Sequence, residues 1–139
     1  MSVNMSAGCE RAATMQFDTD VLIWFFRGHN GAARLIENTP ERYISVVSYM
    51  ELLQGAQDKK ESRIIKSFLS DFNFQTLPLT ENIGHRALIY IEEYGLKVSL
   101  CVADALVAAT AVENHLTLAT ANRKHYRPIA DLEINIFRP

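Results

Sequence analysis

A chain of 139 residues, 48% hydrophobic and 22% charged, has the size and composition of one soluble globular domain with a real core. Its formal net charge of −2 excludes a generic cationic nucleic-acid binder, unless clustered carboxylates hold cations and two Mg²⁺, bringing about four positive charges, reverse the local field. Two cysteines, Cys9 and Cys101, without CxxC spacing exclude a disulfide framework, and no apolar run nears the roughly 20 residues that cross a bilayer. The expected location is cytoplasmic, with no membrane partner.

Residues 1–14 are rich in Ser, Ala and Gly and lack the basic-then-apolar order of a signal peptide. They read as a disordered leader, an appended stretch or the remnant of an upstream start, with the folded domain at residues 15–139. Met15–Asp18 enters a first strand, and Thr19 and Asp20 can cap a short apolar helix, Val21–Phe26. His29–Gly31 is a turn, and Ala32–Asn38 a second short helix closed by Pro40. Arg42–Val47, β-branched and following a proline, predicts a second strand. Ser48 and Glu51 then match the S-x-x-E capping box of a helix running to about Gly55. Lys59–Phe72 is amphipathic, with Ile64, Ile65, Phe68, Leu69 and Phe72 inward and Lys59, Lys60, Arg63 and Lys66 outward. Phe74–Leu79 is a third strand; Thr80 opens a helix through Tyr94 that Gly95 ends. Ser99 is a plausible N-cap for an almost wholly apolar helix to Asn114, with Asp104 in its first turns and Cys101 a buried small hydrophobe. Leu116–Thr120 is a fourth strand, Asn122–Tyr126 a short turn or helix, and Leu132–Phe137 a final edge strand.

Strands alternating with helices predict an α/β fold, three α/β/α layers around a mainly parallel sheet of four to five strands. Ligands of such sheets collect at the carboxyl ends of the strands, where the following helices begin. Asp18 ends strand one, Glu51 stands in the first turn after strand two, Asp104 lies early in the apolar helix, and Asn122 follows strand four. Four polar residues therefore converge on one edge. Buried, Asp104 must be paired, hydrogen-bonded or bound to a metal. Three carboxylates held together repel unless protonated or bridged by cations, and oxygen donors without a His or Cys cluster favour Mg²⁺, or Mn²⁺ in its place, over Zn²⁺. For Glu51 the capping-box reading stands beside the functional one, and Asp20 either supplements the site or caps the helix after it.

Phe17–Ile23, Ser48–Gly55, Ala103–Ala111 and Thr120–Tyr126 occur in the order seen in PIN-domain proteins, and the chain most resembles the VapC-type toxins of bacterial toxin–antitoxin pairs. The resemblance covers nearly all of Met15–Pro139. It implies a PIN-like nuclease domain in which Asp18, Glu51 and Asp104 form the acidic centre of an endoribonuclease, with Asp18 and Asp104 on Mg²⁺ and tRNA or another structured RNA as substrate. It also implies a homodimer and a cognate antitoxin that blocks the groove. Asn122 departs from the fourth acid of many PIN domains and offers only a neutral carbonyl oxygen, which should weaken metal binding. That substitution favours a second reading, a PIN-fold module that binds RNA or protein without cutting. A structure-specific DNA nuclease would need a longer, more basic chain.

Arg123, Lys124 and His125, with Arg127, form a basic group that either touches RNA phosphates or is solvated surface charge. Trp24, Phe25 and Phe26 could stack on bases, but core, dimer or antitoxin contact is the simpler expectation. His29, His85 and His115 show no metal spacing and read as surface or structural.

Overall fold

The computed structural model describes residues 14–139; most of the expected leader therefore lies outside the described residues, while Thr14 already belongs to the first strand. The elements in order are β1 (Thr14–Phe17), α1 (Thr19–Phe26), α2 (Asn30–Glu37), β2 (Glu41–Ser45), α3 (Val46–Gly55), α4 (Lys59–Asp71), β3 (Gln75–Leu77), α5 (Glu81–Val98), α6 (Val102–Glu113), β4 (Thr117–Thr120), α7 (Arg123–Tyr126) and β5 (Ile134–Ile136). Every strand pairing is parallel, in the order β3-β2-β1-β4-β5. The expected α/β fold with a central parallel sheet is observed, with five strands.

One part of the core joins Phe17, Val21, Leu22, Ile36 and Ile44 to Phe68 and Leu69. The other joins Ile83, Tyr90, Val107, Leu118, Tyr126 and Ile129. Gln16 of β1 is wholly buried, and its Nε2 donates to the Val107 carbonyl at 3.0 Å, tying β1 to α6. No helix among the described residues is long and apolar enough to cross a membrane.

Several expected boundaries shift. Ser45, not Ser48, caps α3 by accepting from Val47 N–H at 3.0 Å. The strand ends earlier than its β-branched residues suggest because Val47 packs in the helix against the Val107–Tyr126 cluster. Ser48 is then buried inside α3, and Glu51 lies in the second turn, outside any capping box. Gly95 does not end α5. The helix runs three residues further to Val98, and Ser99, whose φ of 56° places it in the left-handed region, is its C-cap, so Ser99 closes α5 and does not cap α6. Ile64 is half-exposed on α4, although Ile65, Phe68 and Leu69 face inward as expected. His29 caps α2, its Nδ1 accepting from Ala32 N–H at 3.2 Å, and its ring packs edge-on against Trp24 and Phe137. Phe25 and Phe26 pack against Phe68.

Candidate active site

Chain order runs from β1 outward through β2 and β3 on one side, and β4 and β5 lie on the other. The crevice between β1 and β4 at their carboxyl ends is thus a switch point, the usual ligand position in an open parallel sheet. Asp18 and Asp20 follow β1; Thr120 and Asn122 follow β4, and the ladder continues through Asp18 N–H to the Ala119 carbonyl at 2.9 Å. Asp104, the third residue of α6, reaches the same crevice, as does Glu51 from α3. Asp18, Thr19, Asp20, Ile23, Glu51, Gln54, Gly55, Asp104 and Asn122 line one open groove of about 480 Å³. All four residues expected at this edge are there, and Asp20 joins them.

Asp18 is the N-cap of α1, its Oδ1 accepting from Thr19 N–H at 2.8 Å. Its Oδ2 accepts from the buried Thr120 hydroxyl, also at 2.8 Å. Burial, followed by the Asp20 charge, pushes the Asp18 carboxyl up to about 7 against the pull of those two bonds. Asp20 is also raised, chiefly by burial. Its Oδ2 accepts from Ala121 N–H at 3.0 Å and lies 3.4 Å from the Thr120 hydroxyl. Its buried Oδ1 has no hydrogen-bond partner among the described residues. Asp20 does not cap α1, since Asp18 holds that position. A buried carboxylate oxygen without a donor is costly, and a cation is one group that would satisfy it.

Asp104 is gripped at both oxygens. Cys101 Sγ lies 2.9 Å and His125 Nδ1 3.2 Å from its Oδ2, and the Tyr126 hydroxyl donates to Oδ1 at 3.3 Å. Cys101 is exposed, not the buried hydrophobe its apolar neighbours suggested, because it stands outside α6 as its N-cap residue with its thiol turned to Asp104. The bond to Asp104 is the first cause of its raised thiol pKa. Glu51 accepts from the Thr19 hydroxyl at 2.6 Å. Asn122 caps α7, its Oδ1 accepting weakly from His125 N–H at 3.4 Å, while its own N–H donates to Thr120 Oγ1 at 3.0 Å. Arg123 and Lys124 are exposed beside it. Thr120 and Tyr126 were not singled out from sequence as site residues, and Thr19, expected as a cap of the first helix, is its first residue and holds Glu51 instead.

Residues 15–130 match the model of the PIN domain. Ribonuclease VapC1 of Methanocaldococcus jannaschii is 25% identical over 120 residues, covering 86% of this chain and 84% of that protein. A toxin–antitoxin complex from Klebsiella pneumoniae contains a similar chain at 29% identity and a TM-score of 0.74, covering 86% of this chain and 95% of that one. VapBC2 from Rickettsia felis, solved on a DNA fragment from its promoter, shares the fold at 20% identity and a TM-score of 0.72, covering 90% and 99%.

Proposed function

The chain belongs to the PIN-domain family, and from that premise we propose that it is a metal-dependent endoribonuclease acting as the toxin of a toxin–antitoxin pair. The observation that carries the reading is the meeting of Asp18, Asp20 and Asp104 in one groove with Glu51 and Asn122. Support comes from the ribonuclease and the toxin–antitoxin complex named above.

The donor set fits Mg²⁺, with Mn²⁺ as substitute: the groove offers carboxylate and amide oxygens, and Asp20 Oδ1 is buried without a partner. Asp18 and Asp104 would hold the ion, with Asp20 supplementing them. Among the described residues no three His, Cys, Asp or Glu side chains are grouped to hold an ion by themselves. Mg²⁺ generally keeps several waters and meets substrate phosphate oxygens. When bound, it supplies charge neutralisation and activation of water for phosphodiester hydrolysis. The protein's own part is orientation. Thr120 holds Asp18 near Asp20, Thr19 holds Glu51, and Asp104 is fixed from three sides. Arg123 and Lys124 would contact RNA phosphates at the rim. The RNA is proposed to be tRNA or another structured RNA.

A groove of about 510 Å³ lined by Ile23, Phe26, Leu52, Ile64 and Ile65 adjoins the acidic one through Ile23, Glu51 and Gly55. It supports the proposal of an antitoxin that covers the active groove, and a homodimer completes the proposed assembly. The second reading, a non-cleaving RNA- or protein-binding module, has Asn122 in its favour, because its side chain is engaged in capping α7.

The test is incubation of the antitoxin-free protein with total cellular RNA in Mg²⁺, Mn²⁺ or EDTA, beside D104N. Discrete fragments are expected only with metal, and D104N should lower their rate by at least about 100-fold. Intact RNA in every lane from folded protein would turn the choice to the binding module.

A further inference from the structure

We propose, on the nuclease reading above, that His125 is a positioning residue that fixes Asp104 through its Nδ1–H rather than a ligand of RNA phosphate. The argument is one of donors and acceptors. His125 Nδ1 lies 3.2 Å from Asp104 Oδ2 and 3.1 Å from Asn122 Nδ2. A carboxylate oxygen only accepts and an amide nitrogen only donates, whereas one ring nitrogen does one or the other. Nδ1 therefore serves Asp104 or Asn122, never both.

The surroundings decide for Asp104. It shares a groove with Asp18, Asp20 and Glu51, so each donor that reaches it offsets repulsion. Turned the other way, an unprotonated Nδ1 would set its lone pair against Asp104 Oδ2. Asn122 loses little by giving up the contact. Its amide is already oriented by the cap at Oδ1, and it is half-exposed, so water can accept from Nδ2. The ring itself is only 28% exposed, while Arg123 and Lys124 on the same short helix stand in solvent.

This assignment makes Asp104 the best-fixed carboxylate of the groove. Oδ2 takes Cys101 Sγ–H and His125 Nδ1–H, and Oδ1 takes the hydroxyl of the buried Tyr126. A carboxylate has about four lone-pair sites. Three donors leave one, on Oδ1, for the cation. Residues that orient a metal ligand in this way typically change metal affinity or activity by about 10- to 100-fold when removed.

The full-length protein would be compared as wild type, H125A, H125N and H125Q, with melting curves confirming that each is folded. An Asn amide sits near the place of Nδ1–H, and a Gln amide near Nε2. Mn²⁺ affinity is measured without RNA, then kcat and KM on the RNA that the wild type cuts. Expected are Mn²⁺ affinity and kcat reduced about 10- to 100-fold in H125A and H125Q, substantial recovery in H125N, and unchanged KM. Unchanged Mn²⁺ affinity with a raised KM and a salt slope smaller by roughly 0.7 would make His125 a phosphate contact and overturn the proposal. H125N as poor as H125A would also overturn it. Wild type that binds Mn²⁺ but cuts no RNA defeats the nuclease reading alone, since the Mn²⁺ affinities still test the positioning role. Wild type that binds no Mn²⁺ defeats both.

Discussion

Replacing Asp18 with Asn should stabilise the metal-free protein at pH 8 and leave it no more stable than wild type at pH 5. The folded protein holds the Asp18 proton up to about 7, against 3.8 for the ordinary carboxyl. The folded state thus binds more protons than the unfolded chain across that window, and wild-type stability falls as pH rises through it. The penalty is absent below 3.8 and complete above about 7. At about 1.4 kcal/mol per pH unit it reaches about 4 kcal/mol. Asn removes the charge but weakens the bonds from Thr19 N–H and the Thr120 hydroxyl, a loss of about 1–2 kcal/mol. The net gain at pH 8 is therefore about 2–3 kcal/mol, which amounts to several degrees in melting temperature. At pH 5 the smaller penalty and the weakened bonds nearly cancel. Urea unfolding in EDTA at the two pH values measures the difference. Adding Mg²⁺ at pH 8 should stabilise wild type far more than D18N, because the ion binds the folded carboxylate. A D18N protein less stable than wild type at pH 8, or shifted equally at both pH values, would refute the reasoning.

Arg86 bridges Glu113 at 2.5 Å and Asp131 at 2.7 Å, and Asp131 also accepts from the Tyr90 hydroxyl. These groups are partly exposed, so R86A should cost about 1 kcal/mol, less in high salt, with RNA cleavage unchanged. Alkylation at Cys101, followed by peptide mapping at neutral pH, should be slow for an exposed thiol because Asp104 disfavours the thiolate. D104N removes the main cause and should speed it; equal rates in the two proteins would show that the 2.9 Å contact does not govern the thiol.

Local pattern carried much of this fold. The amphipathic run of α4, the Thr80 cap of α5 and the alternation of strands and helices are each written within a few residues, because helix period and capping are short-range physics. The placement of Asp18, Glu51, Asp104 and Asn122 at one edge followed from that alternation alone. Choices between two equally suitable local signals did not. Ser45 and Ser48 are both acceptable caps, and packing of Val47 selects the first. Gly95 and Ser99 both stand near the end of α5, and the helix ends at the second, in the left-handed region. Cys101 looked apolar by its neighbours and is exposed, bonded to Asp104. The chain left Asp20 open between site and cap, and it gave no sign that His125 meets Asp104. The hydroxyl that joins Asp20 to Asp18 comes from Thr120, about a hundred residues away, and only the seating of β4 beside β1 brings it there. Residue type and period determine which side chains can be buried or can bind; strand order determines which of them meet, and it is fixed by contacts between segments that carry no mark of each other in the sequence.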